Sequence, residues 1–173
     1  MSTPSTNPSH RSPEFALTSS VEDAGLGIKV ITARIGGIGY YSTLFQTGVM
    51  SRTMEGGGLY VDEEFRGLGI GERLVRRTVE IGLRNKVRFL EARVTSQHAL
   101  AIHARVFGPE NLTIEPVSSL HTIDLPSLEG VVSFDEAKEW LAEAEQYEEP
   151  NASGYRTNGF FMSAPLDSLT EKD

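Results

Sequence analysis

The sequence predicts a single α/β domain of the α+β kind, with a mixed, mainly antiparallel sheet flanked by helices. Three observations predict it. The β-branched run IKVITARI (28–35) and the glycine-punctuated IGGIGYYSTLFQTG (35–48) follow closely enough to pair as antiparallel strands. A strand, a glycine-rich turn and an amphipathic helix then succeed one another over 59–85, and a second strand and helix follow directly. At 173 residues the chain has the length of one domain able to bury a core.

Taken in order, residues 1–20 are rich in Ser, Thr and Pro and read as a flexible polar arm. Ordered structure is expected from Gly27. The glycines at 56–58 read as a turn leading into a short apolar strand, 59–61, which ends in the charged DEEFRG. From Gly69 to about Asn85 the apolar residues Ile70, Leu74, Val75, Thr78, Val79 and Ile81 recur at helical spacing with arginines between them. FLEARV (89–94) is the next strand. Ser96 then caps a second helix whose inner stripe is Ala99, Ile102, His103 and Val106, stopped by Gly108-Pro109.

LTIEPV (112–117) and HTIDLP (121–126) read as short strands or extended connections. Ser133 and Glu136 form an S-x-x-E capping box, opening an acidic helix over 133–149 that buries Phe134, Ala137, Trp140, Leu141 and Ala144. GYRTNGFFMSAP supplies a final strand. The domain is thus expected over 21–165, with 109–165 as a C-terminal elaboration and 166–173 as a tail.

Sixteen basic and twenty-four acidic residues leave a formal charge of -8. The charges are segregated. Nine bases stand against three acids over 66–105, whereas three bases stand against fourteen acids from Val106 onward. A basic segment inside an acidic chain suits a small anionic ligand better than nucleic acid, whose binders carry a basic footprint over much of the domain. Zero cysteines exclude disulfides, thiolate nucleophiles and Cys-ligated zinc. No apolar run approaches the roughly 20 residues that span a bilayer. No signal segment opens the chain, so a cytoplasmic location without membrane association is expected.

The central unit is LYVDEEF, then Arg66-Gly67-Leu68-Gly69-Ile70-Gly71, then ERLVRRTVEIGL. Glycines in such a turn let backbone approach a ligand closely. The helix start that follows offers N–H groups without internal partners at the positive end of the helix dipole. Together they make a cradle for phosphate or pyrophosphate. The turn does not satisfy G-x-G-x-x-G and lacks the GK[ST] of a P-loop.

LYVDEEFRGLGIGERLV resembles the acetyl-CoA-binding segment of the GNAT superfamily of acyl-CoA N-acyltransferases. Its signature, Q/R-x-x-G-x-G/A, is matched by Arg66, Gly69 and Gly71. The likeness runs on through LEARVTSQHALAIHARVFG, where Leu90, Glu91, Arg93 and Ala99 are of the family's type, and covers roughly 59–108.

The resemblance implies a GNAT-like fold and an N-acetyltransferase that moves acetyl from acetyl-CoA directly to a primary amine in a ternary complex. Leu59, Tyr60 and Val61 would lie beside the acetyl group and pantetheine arm where the central strands splay, with the N–H of Val61 as oxyanion donor. The N–H groups of Arg66, Gly67, Leu68, Gly69, Ile70 and Gly71 would hold the pyrophosphate. Arg73, Arg76 and Arg77 could meet the 3′-phosphate or form a solvated face. Ser96 stands where the family has asparagine and, still able to donate and accept a hydrogen bond, would be a further cofactor-binding residue; His103 stands where the family has a tyrosine that protonates the leaving thiolate. The family's closing Gly-Phe reads Phe107-Gly108 here. Too little chain precedes Gly27 for the family's first strand and two helices, so the substrate side is reduced or is rebuilt by 109–173.

His103 and Tyr60 are accordingly the candidate catalytic residues. His103 shares an apolar helix face, which equally suits a core histidine. Tyr60 alternates with Leu59 and Val61 and can face cleft or core. Glu55, Asp62, Glu63 and Glu64 flank the central strand as candidate bases. His98 and His121 have no metal-ligand spacing, and no metal is expected. Glu139, Glu143 and Glu145 on the acidic helix either form a solvated face or draw in a cationic amine. A non-catalytic CoA-binding or protein-interaction module and a nucleic-acid-modifying acyltransferase stand as alternatives, and either a monomer or a homodimer fits.

Overall fold

The computed structural model describes residues 15–47, 52–117, 125, 128–150, 156 and 158–169. Seven strands form one sheet: β1 (Leu17–Gly25), β2 (Ile28–Ile35), β3 (Gly39–Gln46), β4 (Thr53–Val61), β5 (Phe89–Val94), β6 (Thr113–Pro116) and β7 (Phe160–Pro165), in the order β1-β2-β3-β4-β5-β7-β6. Every neighbouring pair is antiparallel except β4 and β5. A parallel pair needs a crossover, which is α1 (Ile70–Arg84). The other helices are α2 (Gln97–Phe107) and α3 (Phe134–Ala144).

Alternation along the strands builds the core. Ile31, Ala33 and Ile35 of β2, Tyr41 and Phe45 of β3, Leu90 and Val94 of β5, and Phe160, Met162 and Ala164 of β7 point to one face and are buried. The stripe of α1 read from sequence, Ile70, Leu74, Val75, Thr78, Val79 and Ile81, is buried as expected. It packs on β2 and β3; α2 packs on α1, and α3 on α2. In α2 the buried residues are Leu100, His103, Ala104, Val106 and Phe107, so Ala99 and Ile102 lie at the margin of the stripe. The opposite sheet face has no helix among the described elements and exposes Tyr40, Leu44, Tyr60, Phe89 and Phe161.

Several expectations are corrected. β1 begins at Leu17, inside the stretch read as a polar arm and ahead of Gly27. It carries no apolar alternation because all its residues but Leu17 are exposed, and backbone pairing with β2 holds it. The glycines at 56–58 are interior to β4 rather than a turn before it; the register with β3 slips there, leaving Gly57 as a bulge. The acidic helix stops at Ala144, where Tyr147 and Glu148 both donate to the Ala144 carbonyl. Leu166 is fully buried in a short 3₁₀ turn, Leu166–Ser168, so the core continues into the presumed tail. The segment 121–126 lies, apart from Leu125, outside the described residues, as does 1–14 of the arm.

The Ser133 capping box forms with both of its hydrogen bonds, and Gly108 ends α2 with Pro109 opening a 3₁₀ turn. Between β1 and β2 the chain makes only a tight turn at 25–27, with no helix inserted.

Candidate functional site

β4 and β5 pair only over Thr53–Gly56 and Phe89–Ala92. Past the rung Gly56↔Ala92 they part. β4 continues along β3, with Gly58, Leu59, Tyr60 and Val61 opposite Ser42, Tyr41, Tyr40 and Gly39, while β5 continues along β7 to Val94↔Phe160. Backbone groups of a strand point alternately to its two edges, so part of the 59–61 backbone faces the opening instead of a strand. This fork in mid-sheet is the principal break in the ladder.

The helix that starts above it is held by three glycines for two reasons. Gly67 and Gly69 have φ of +81° and +73°, and a Cβ at either would meet no atom within 4 Å. Their conformation therefore demands glycine while the space before them is open. Gly71 answers to packing: a Cβ there would stand 2.7 Å from Ile102 Cδ1, so its absence lets α1 approach α2.

The two helix starts that follow the parallel strands differ. At α2, Ser96 Oγ accepts from the Ala99 N–H (3.1 Å) and Glu145 Oε1 accepts from the Gln97 N–H (2.8 Å). The chain's own groups thus close that terminus, Ser96 spends its side chain on a cap, and Glu145 is drawn off the acidic face. At α1 the N-cap is Gly69, with no side-chain cap, and the first intrahelical donor following it is the Arg73 N–H, bonded to the Gly69 carbonyl. The N–H groups ahead of it have no acceptor within the helix. Within the expected set, the Arg66 N–H donates to the Glu63 carbonyl (3.2 Å) and its Nε to the Val61 carbonyl (3.2 Å), so Arg66 braces the turn against β4. Leu68 is exposed and Ile70 is buried.

The helix arginines face elsewhere. Arg73 donates to the Phe15 carbonyl, Arg76 pairs with Glu72 at 3.1 Å, and Arg77 reaches Ser19 Oγ and Glu80.

The fork has two chemically different faces. On the open face Glu55 and Glu91 sit side by side on the rung before the fork, and Tyr60 stacks on Tyr40 with centroids 5.8 Å apart. The guanidinium of Arg34 stands 5.9 Å from the Tyr40 ring. Glu63 and Glu64 are carried away in a 3₁₀ turn. On the helix face, His103 is 2% exposed. Its Nδ1 lies 2.8 Å from the Ala99 carbonyl and therefore carries the proton; Nε2 faces the Tyr41 hydroxyl at 3.4 Å. Burial pushes its pKa below the usual value, opposed by the Ala99 bond. Tyr41, which the sequence reading passed over, is 1% exposed, and burial pushes its phenol well above the usual value. The signal was present: an inward tyrosine and an inward histidine on faces destined to meet.

No group of three or more His, Cys, Asp or Glu suited to a metal ion occurs among the described residues, and none of their helices is long and apolar enough to cross a membrane.

A glycine turn with an open front, an uncapped helix start and a forked parallel pair are the parts expected of a GNAT acyl-CoA site. The model of the acetyltransferase (GNAT) family matches residues 4–108. The chain belongs to the GNAT acetyltransferase family. No curated protein matches it. Among solved structures, this GNAT chain is similar to an IAA acetyltransferase from Bacillus cereus ATCC 14579 (19% identical, covering 80% of this chain and 78% of that one, TM-score 0.46). It is also similar to the ribosomal-protein-S18-alanine N-acetyltransferase from Escherichia coli (15%, 86% and 75%, 0.45) and to a putative acyl-CoA N-acyltransferase from Klebsiella pneumoniae (13%, 88% and 98%, 0.48).

Proposed function

We propose that this GNAT protein is an N-acetyltransferase that moves acetyl from acetyl-CoA directly to a primary amine within a ternary complex. The observation that carries the reading is the alignment of the β4–β5 fork with the one of the two helix starts left uncapped by side chains. The N–H groups of 67–71 receive the pyrophosphate, using the helix dipole and the open space before Gly67 and Gly69. The fork-facing backbone of Leu59, Tyr60 and Val61 orients the pantetheine arm and the thioester, with a donor from this edge holding the carbonyl oxygen as charge develops on it. With no cysteine for an acyl-enzyme, the amine itself attacks.

The acceptor enters from the open sheet face. Glu55, one residue before the fork and exposed, takes the amine's proton; together with Glu91 it attracts a cationic acceptor, and Tyr60 borders the approach. The tight β1–β2 turn supports an acceptor site with little protein cover on that side.

Two measurements test this. Acetyl-CoA should raise the melting temperature of the wild type, and a thiol-release assay across an amine panel should show CoA released at a rate that rises with amine concentration. No shift would remove the acyl-CoA site; a shift without thiol release from any amine would leave a binding module.

A further inference from the structure

Two non-glycine residues among those described have positive φ, Leu26 at 53° and Lys86 at 64°. Both occupy turns whose backbone suits glycine. Leu26 is the tip of the β1–β2 turn, between Gly25 and Gly27 with φ of 85° and 75°. Lys86 follows Asn85, the C-cap of α1: its N–H donates to the Leu83 carbonyl and the Val87 N–H to the Gly82 carbonyl, each at 3.0 Å. Those are the paired bonds of a helix end whose left-handed residue is usually glycine. Packing does not offset the strain, because Leu26 is 94% exposed and Lys86 is exposed as well. Strained side chains held out to solvent belong to functional surfaces rather than to cores.

Both turns lie at one end of the sheet. β4 and β5 run parallel, so α1 carries the chain from the finish of β4 back to the start of β5, and its C-terminus stands where β2 and β4 begin and β1 and β3 finish. Backbone bonds tie this end together: the Thr47 N–H donates to the Gly27 carbonyl, the Arg88 N–H to the Arg52 carbonyl, and the Leu166 N–H to the Arg88 carbonyl. Arg52, Arg84 and Arg88 are exposed alongside Lys86, and none of the four pairs with a carboxylate among the described residues. Phe89, next to Arg88, is 45% exposed. The carboxylates of this end stand to its sides. Asp23 is on β1, bonded to the Gly25 N–H and opposite Lys29; Asp167 follows β7, and Glu110 precedes β6. In a chain of charge -8, the middle of this end is a cationic strip with an apolar tip about 10–14 Å along the same rim, two to three strand spacings away.

We infer that this end is a docking surface for an anionic lipid bilayer, with Leu26 entering the headgroup layer and Arg52, Arg84, Lys86 and Arg88 meeting lipid phosphates. An aliphatic side chain held out at a hairpin tip, with cations behind it, complements an apolar layer beneath negative headgroups. A nucleic-acid backbone would satisfy the cations but offers the exposed leucine nothing. The contact is peripheral. The expectation of no membrane association rested on spanning and signal segments, and this surface needs neither. Since α1 has 15 residues, its start lies about 20 Å from the docked end and stays open to acyl-CoA. The inference does not depend on acetyl transfer.

Co-sedimentation of the full chain with vesicles of equal parts phosphatidylcholine and phosphatidylglycerol, and with pure phosphatidylcholine, tests it. The wild type should bind the anionic vesicles alone and be released as salt rises. Changing Arg52, Arg84 and Arg88 together to glutamine should weaken binding about a hundredfold, near fivefold for each charge. Leu26→Asn keeps a residue that tolerates left-handed backbone and should weaken binding about tenfold. Lys86→Gly relieves strain, so it should melt about 2–4 °C above wild type yet bind about fivefold more weakly, an opposition that a structural role would not produce. The acetyl-CoA thermal shift should be the same in all of them. Failure of the wild type to bind anionic vesicles, equal binding to neutral ones, or wild-type binding by Leu26→Asn overturns the assignment. Binding to duplex RNA but not to vesicles overturns it in favour of nucleic acid.

Discussion

Replacing Gly69 by alanine adds one methyl group to a residue with φ of +73° and no atom within 4 Å of the new Cβ. Crowding is therefore absent, and the cost is backbone alone: about 1–2 kcal/mol for an L-residue in the left-handed region. For a chain of this length each kcal/mol lowers the melting temperature by about 2–4 °C, so Gly69→Ala should melt about 2–8 °C below wild type. Gly69→Asn should lose less, since asparagine tolerates this conformation best among side-chain-bearing residues. Binding should follow a different order. The added atoms meet no protein, so what they obstruct is a ligand at the α1 start. Losing one charge-assisted hydrogen bond there, about 1.5–3 kcal/mol, weakens acetyl-CoA by tenfold or more in both variants. Thermal unfolding with and without saturating acetyl-CoA reads both quantities from one series. A Gly69→Ala that melts with wild type refutes the strain argument. Wild-type acetyl-CoA shifts in both variants refute the cradle.

His103 supplies a pH signature. Its folded pKa is pushed below about 6.5, so the unfolded chain binds its proton first; the stability it contributes is present above pH 6.5 and is lost as pH falls toward the folded value. Melting temperature should therefore drop on going from pH 7.5 to 5.5, and His103→Gln should flatten that drop; equal slopes would argue against a buried neutral imidazole. Glu145→Ala removes the acceptor of the Gln97 N–H and should cost about 1 kcal/mol, as helix caps do, while the KM for the amine stays put. A raised KM would return Glu145 to acceptor recruitment. Gly71→Ala drives a methyl against Ile102 Cδ1 and should cost about 1–3 kcal/mol by overpacking. Adding Ile102→Val should recover part of that loss in a double-mutant cycle, and strict additivity would show that the contact is not the cause.

How legible each element was followed from whether its signal was local. The bounds of α1 and α2 and the Ser133 box could be read because caps and helical spacing are written within a few residues. β1 could not, since an edge strand exposed along nearly its whole length has no burial pattern to betray it. Leu166 follows Pro165 and reads as tail, yet a Cβ on Gly82 would stand 3.0 Å from its Cδ2: the partner that makes it core is 84 positions away. The same holds in the site. The 66–71 turn declared itself, whereas the Tyr41–His103 contact joins residues 62 apart and the capture of the α2 start by Glu145 joins residues 48 apart. Composition placed acid on α3 correctly but could not say which carboxylate would be spent on a helix end.

The glycines misread as a turn explain why both faces of the fork are furnished at all. Ahead of the bulge, Met54 and Gly56 point to the helices and Glu55 points away; beyond it, Leu59 and Val61 point to the helices and Tyr60 points away. Strict alternation from Glu55 would have put Tyr60 on the helix face and Leu59 and Val61 in solvent, because a one-residue slip exchanges every side chain between faces. The extra residue at Gly57 reverses the parity at the point where β5 departs. A charged residue can thus stand outward on one side of the fork and an aromatic outward on the other, while apolar side chains stay inward along both halves. It also accounts for glycine on both sides of the bulge. Gly56 must leave room for the Tyr41 hydroxyl, and Gly58, with φ of 147°, carries the strand out of the bulge. The triplet that looked like punctuation is the device that lets one strand pack a core on both sides of the bulge and still turn Glu55 and Tyr60 outward.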